Sequence, residues 1–284
     1  MKALVLLFFA FVAGAGWAAP ILDDAGNEVR LEKTPERIVS LAPHITEMLF
    51  ELGVGERIVA TVDHSDFPEA AKSIPRLGSA FSVSVESVVA LAPDIVFVWQ
   101  TGGSQKSVRQ IRALGYPVYV NEAPTLGAIA DSLQRMGRLV GERKRGDELA
   151  AEFRQELVEI GSSVPTQRKL VFFQIADAQL YTVNHEHLIG QALALCHADN
   201  VFGALPMTVP IVSYESVVAA NPEIVVVSVP FAEYVSPWDS RWASLGWANR
   251  IRRIDASLIT RPGFRMLEGM KNLCHEVNKP GIDT

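Results

Sequence analysis

One stretch of the chain occurs twice. Residues 83–99 read VSVESVVALAPDIVFVW and residues 212–228 read VSYESVVAANPEIVVVS; at an offset of 129 they agree at 11 of 17 positions. In each copy a Ser (Ser84, Ser213) stands where it can cap a helix, with Glu86 or Glu215 in the first turn. An apolar helical face follows, and Pro93 or Pro222 ends the helix. Then come an acidic residue and a β-branched run that reads as a buried parallel strand. Helix–Pro–strand units recur by chance in α/β chains, but here Ser-x-Glu-Ser-Val-Val-Ala repeats in register. A helix feeding a buried strand is half of an α/β lobe. Two copies so far apart predict an α/β fold of two Rossmann-like lobes of similar build.

The rest of the chain fits that plan. Met1–Ala18 reads as a secretory signal: Lys2 is its only charge, Ala3–Ala13 is apolar, and Gly16-Trp17-Ala18 supplies small residues at −3 and −1. No Cys lies near the cleavage site to carry a lipid anchor, and no apolar run is long enough to span a membrane. The N-terminal lobe is expected over 19–123. Between 124 and 161, Ile129, Leu133, Met136, Leu139, Val140, Leu149, Phe153 and Leu157 keep helical spacing. That predicts one long connecting helix lying across both lobes, with a kink or break open to it near Gly141–Gly146. The C-terminal lobe follows over 162–284.

Charge and cysteines narrow the function. The formal charge of −6 becomes −7 once Lys2 is removed. An acidic chain is a poor partner for nucleic acid and gives no reason to invoke a membrane surface. Cys196 and Cys274 are the only cysteines. In an exported protein an isolated pair is most simply one disulfide, and the spacing suits neither a redox motif nor a metal site.

In open parallel sheets, ligands bind beyond the carboxyl ends of the strands. The loops at those ends are rich in aromatics, Gly and Pro. Two lobes facing each other would enclose one cleft, which Phe81, Trp99, Phe231 and Trp238 are expected to line unless they pack in the core. His185-Glu186-His187 suggests a bare metal site, but i,i+2 residues on a helix point apart and the six histidines are scattered. GxSxG, P-loop, GxGxxG and HExxH motifs are all missing, so no enzyme is expected.

The sequence resembles the helical-backbone periplasmic binding proteins of ABC importers for ferric siderophores, haem and corrinoids. Arg37-Ile-Val-Ser-Leu-Ala-Pro, Thr46-Glu47, Ser65-Asp66-Phe67-Pro68, Glu86 with Val88–Leu91, Pro93-Asp94 and Trp99 before a Gly pair carry the likeness in the first half. Cys196, Pro210-Ile-Val-Ser-Tyr-Glu215, Arg261-Pro262 and Leu273-Cys274 carry it in the second. The resemblance implies a monomeric periplasmic receptor with an interlobe cleft and no cofactor of its own. Its cargo would be a small-molecule metal chelate: a corrinoid (vitamin B12-like) in the nearest branch, or alternatively a ferric siderophore or haem. It implies an inner-membrane ABC permease dimer as partner, docked through Glu86 and Glu215. Related acids on two lobes suit basic sockets on a two-fold partner. The corrinoid site carries over in part. Trp99 matches the cleft Trp, and His64 replaces an aromatic and either faces the metal or stays in solvent. Two Trp positions fall on Ala80, with Phe81 beside it, and on Val209. The last cleft loop maps to Ser257, Leu258, Ile259, Thr260 and Arg261, of which only Arg261 is identical.

Overall fold

Each half of the chain builds a four-stranded parallel sheet of the same order. The computed structural model describes residues 20–279; the expected signal peptide over 1–18 lies outside them. After a hairpin, β1 (Ile21–Leu22) and β2 (Glu28–Val29), the first lobe runs β3 (Ile38–Ser40), α1 (Pro43–Glu51), β4 (Ile58–Ala60), α2 (Val85–Ala90), β5 (Ile95–Trp99), α3 (Gln105–Ala113) and β6 (Val118–Asn121). Two helices follow, α4 (Leu126–Leu139) and α5 (Arg143–Ser163). The second lobe runs β7 (Lys169–Gln174), α6 (Leu188–Leu195), β8 (Ala198–Asn200), α7 (Tyr214–Ala220), β9 (Ile224–Val229), α8 (Asp239–Ser244), β10 (Ile251–Asp255), α9 (Ala256–Ile259) and α10 (Met266–Asn278). The sheet orders are β4-β3-β5-β6 and β8-β7-β9-β10. The repeated strands β5 and β9 therefore occupy equivalent places.

The repeat also governs local detail. The Ser84 and Ser213 hydroxyls accept the backbone N–H of Ser87 and Ser216, each at 3.1 Å. Both helices stop at a residue in the left-handed region, Ala92 (φ +42°) and Asn221 (φ +44°), which lie 129 positions apart. Both repeated strands are covered on two faces, as their unbroken apolar runs require. Ile95 and Phe97 face a core shared with α1, while Val96 and Val98 face the opposite one. Val226 and Val225 divide in the same way in the second sheet.

The connector departs from expectation. The single helix foreseen over 124–161 is a hairpin of two helices, α4 and α5, broken at Gly141, whose φ of +82° favours glycine. Gly137 and Gly146 do not weaken a continuous helix but let two helices touch. A Cβ on Gly137 would sit 2.9 Å from the Gly146 Cα, and one on Gly146 would sit 2.8 Å from the Leu133 carbonyl. Each arm of the hairpin reaches both lobes. Ile129 and Phe153 join the second lobe's core, while Met136 and Leu149 join the first lobe's. Phe264 packs against both cores.

Cys196, at the C-terminal cap of α6, is bonded to Cys274 of α10 with an S–S distance of 2.01 Å. The bridge closes a sequence separation of 78 residues within the second lobe's core. Replacing both cysteines by Ala should lower unfolding free energy by about 4–5 kcal/mol in the chain-entropy view. Urea titrations of oxidised, reduced and doubly substituted protein measure this. Coincident midpoints for all three would remove the bridge from the list of stabilising features.

Candidate functional site

The loops at the carboxyl ends of both sheets meet at a cavity of about 830 Å³. The first lobe contributes Pro43 and His44 after β3, His64 after β4, Trp99 at the end of β5, and Glu122 after β6. The second contributes Ile175 after β7, Glu186 and His187 ahead of α6, Thr208 and Val209 ahead of α7, and Ile259 to Pro262 beyond β10. The wall is mostly apolar, with a few polar groups converging on it, as in small-molecule sites generally.

One side of the cavity rests on a buried polar network. The Asp24 carboxylate accepts from Tyr119 Oη (2.7 Å), Asn121 Nδ2 (2.8 Å), the Glu122 N–H (3.0 Å) and Arg135 Nε (2.8 Å). Burial and this carboxylate push the Tyr119 phenol well above its ordinary range. With its NH2 turned to Asp24, Asn121 presents Oδ1 to His44 Nε2 at 2.9 Å. His44 therefore carries its proton on Nε2. Burial lowers its pKa to about 4, so the ring is neutral at pH 7. The His44 ring meets Trp99 edge-on, with centroids 5.1 Å apart. Trp99 in turn explains the glycine pair that follows it: a Cβ on Gly102 would lie 1.9 Å from the indole.

The opposite lobe holds its own neutral imidazole. His187 caps α6, its Nδ1 accepting the Ile189 N–H at 3.1 Å, which leaves the proton on Nε2. Burial lowers its pKa to about 4 as well.

A lobe-bridging ion cluster forms the edge of the wall. Arg261 Nη1 donates to Glu47 Oε1 at 2.6 Å, and Nη2 donates to the His64 carbonyl at 2.9 Å. Arg265 Nη1 reaches the same carboxylate oxygen at 3.3 Å, while its guanidinium lies 3.6 Å from the centroid of Phe67. Glu47 is buried, and its Oε2 has no partner among the described residues. Burial pushes its carboxyl above the usual range, with both guanidinium groups pulling against that shift.

Of the expected cleft residues, His64, Trp99, Ile259, Thr260 and Arg261 stand together in this wall. Five do not. Trp238 stacks on Tyr214 and Trp242 and donates Nε1 to the Asp177 carbonyl at 2.9 Å, so its ring belongs to an aromatic stack on the second lobe. Phe231 lies against Tyr234 and is 57% exposed, and Phe81 is 72% exposed. Leu258 is a buried residue of α9, and the Ser257 N–H is tied to Asp255 Oδ1 at 2.7 Å.

Glu86 and Glu215 lie outside the wall, exposed in the first turns of α2 and α7. The Glu86 carboxyl is lowered by its own backbone N–H and by the Ser84 hydroxyl, which donates at 3.0 Å.

Sequence reasoning missed His44, Glu122, Glu186 and His187. His44 follows the first strand's Ala-Pro turn, a strand-end position that marks such residues. The helical spacing expected of His185-Glu186-His187 does not apply, because the segment precedes α6 as loop and cap. His185 turns outward to Asp199 at 2.7 Å, and Glu186 and His187 belong to the wall.

Comparison with known proteins follows the same geometry. A family described as periplasmic binding protein matches residues 38–272. A vitamin B12-binding protein of Vibrio campbellii is 28% identical over 247 residues, covering 84% of this chain and 88% of the relative. One of Yersinia pestis is 30% identical over 194 residues, covering 68% of this chain and 69% of the relative. The crystal structure of the periplasmic vitamin B12 binding protein of Vibrio cholerae superposes with a TM-score of 0.78 at 26% identity, covering 86% of this chain and 97% of that one. A periplasmic heme-binding protein of Roseiflexus superposes with a TM-score of 0.76 at 25% identity, covering 86% and 98%.

Proposed function

Because the chain belongs to the periplasmic binding protein family, we propose that it captures a corrinoid, a vitamin B12-like metal chelate, in the interlobe cavity and delivers it to an inner-membrane ABC importer. The observation that carries this reading is the cavity itself. At about 830 Å³ it lies at the upper end of small-molecule sites and far exceeds the needs of a bare ion. The relatives named above as vitamin B12-binding proteins support a corrinoid as the cargo.

The receptor works in the periplasm as a monomer, after removal of residues 1–18. Among the described residues no helix is long and apolar enough to cross a membrane. It returns its ligand unchanged. Trp99 offers an apolar aromatic surface to the chelate, held in place by its edge-on contact with His44. Of the three wall imidazoles, His64 is the one whose ring makes no hydrogen bond among the described residues, and it meets the metal.

Haem is the second reading, favoured by the likeness to the Roseiflexus protein and by the same free imidazole. The visible spectrum and mass of the ligand retained after incubation with cobalamin, haem and ferric siderophores decide between them. Trp99→Ala should weaken binding of the retained ligand by about tenfold or more, with a modest fall in melting temperature. An unchanged affinity would make Trp99 a packing residue and take it out of the site.

A further inference from the structure

We infer that the cavity sorts chelates by peripheral charge: Glu122 and Glu186 favour a ligand fringed with neutral or cationic groups over one fringed with carboxylates, and Glu47 keeps Arg261 from answering an anion. The inference rests on the reading of the cavity as a chelate site.

The two acids face the space from opposite lobes, Glu122 after β6 and Glu186 ahead of α6. Glu122 is held by the Thr101 N–H and hydroxyl, each at 3.1 Å, which orient it without neutralising it. Among the described residues, neither acid forms a salt bridge, and the wall contains no lysine. Arg261 is its one guanidinium, and both terminal nitrogens are taken by the first lobe. Arg265 shares the Glu47 carboxylate but lies outside the wall, against Phe67. His44 and His187 are neutral at pH 7 and add no positive charge.

A ligand thus meets an aromatic face, the Nε2–H of neutral His187, a guanidinium already held by Glu47 and the His64 carbonyl, and two carboxylates that lack a salt-bridge partner. The amide side chains of a corrinoid can donate to those carboxylates. The propionates of haem, or the free acids of a hydrolysed corrinoid, would face like charge in a partly enclosed site, where screening by water is reduced.

The test uses pairs whose main difference is peripheral charge. Cobinamide, with amide side chains, is compared with cobyrinic acid, with free acids; haem dimethyl ester is compared with haem. Trp99 lies in the wall, so fluorescence quenching reports binding. At low ionic strength the wild type should prefer the uncharged member by about tenfold or more. Glu122→Gln/Glu186→Gln should shrink that ratio toward unity, as should added salt. Glu47→Gln should shrink it from the other side, by releasing Arg261 to the acids. Melting curves check that this last variant folds; if it does not, the paired Gln variant decides. Equal affinities within each pair, or a ratio unmoved by the paired variant, would overturn the inference. If the corrinoids fail to bind and a haem binds, the corrinoid reading falls, and the ester-to-acid ratio judges the charge inference alone. Uptake of none of the four overturns both.

Discussion

Changing Glu86 and Glu215 together to Arg is expected to abolish transport while leaving ligand affinity unchanged. The expectation rests on how the two acids are presented. Each stands in the first turn of a short helix whose start is fixed by a serine hydroxyl and whose apolar side is anchored by a fully buried valine, Val88 or Val217. The two helices feed equivalent strands in sheets of equivalent order, so the acids are matched features of matched lobes. Among the described residues, neither acid forms a salt bridge within the chain, and neither lines the cavity. A permease dimer offering one basic socket per half would engage both. Glu→Arg should hurt more than Glu→Ala, because it sets like charge against the socket. Each single change should hurt less than the pair. Salt should weaken the wild-type association, since both carboxylates are exposed. The measurement is transport in a strain lacking its own receptor, paired with ligand titration of the purified protein. Full transport by the double variant would return both acids to the role of helix-start residues.

What could be read from the chain was local. The repeat carries its own caps, stop signals and buried strands, so the units built on β5 and β9 were legible, and with them the two-lobed α/β plan. The connector was not, because Gly137 and Gly146 meet only after the chain reverses at Gly141. In one dimension a glycine that permits helix contact looks the same as one that weakens a helix. The strand β8 (Ala198–Asn200) has no signal in the sequence, because Ala, Asp and Asn carry little strand preference and its pairing with β7 makes it a strand. The site divides likewise. Trp99 and Arg261 carry the family likeness, and His64, which departs from it, was legible only from its place in a loop after β4. Trp238 shares both the loop position and the aromatic character, yet its ring stacks on Trp242. Trp242 stands four residues on, so the stack follows once this segment turns as α8 and brings the two rings onto one side of it. His44 matters because residues 24, 44 and 121 meet in one hydrogen-bonded line, a relation that exists only in three dimensions.

The same buried imidazoles should make the folded protein acid-sensitive. His44 and His187 have folded pKa values of about 4 against 6.5 for the free side chain, lowered chiefly by burial. As pH falls through 6.5, the unfolded chain takes up protons at these positions and the folded chain does not. The unfolded state thus binds more protons between about 6.5 and 4, so stability is full above that window and drains away as pH drops through it. Each fully shifted histidine tilts the balance by about 1.4 kcal/mol per pH unit, or roughly 3 kcal/mol across the window. His187 should give less, because its side chain is partly exposed. Set against a typical domain stability of about 5–15 kcal/mol, the pair removes a large share. Glu47 works the other way: its carboxyl is raised on folding, so the folded state takes up that proton first and recovers some stability at the acid end. Urea titrations at several pH values from 7.5 down to about 5 should show the decline. In His44→Gln/His187→Asn it should flatten, since Gln can donate to Asn121 Oδ1 and Asn can cap α6. An identical pH slope in the two proteins would mean that neither histidine is held neutral by the fold, and the neutral wall inferred for the cavity would go with it.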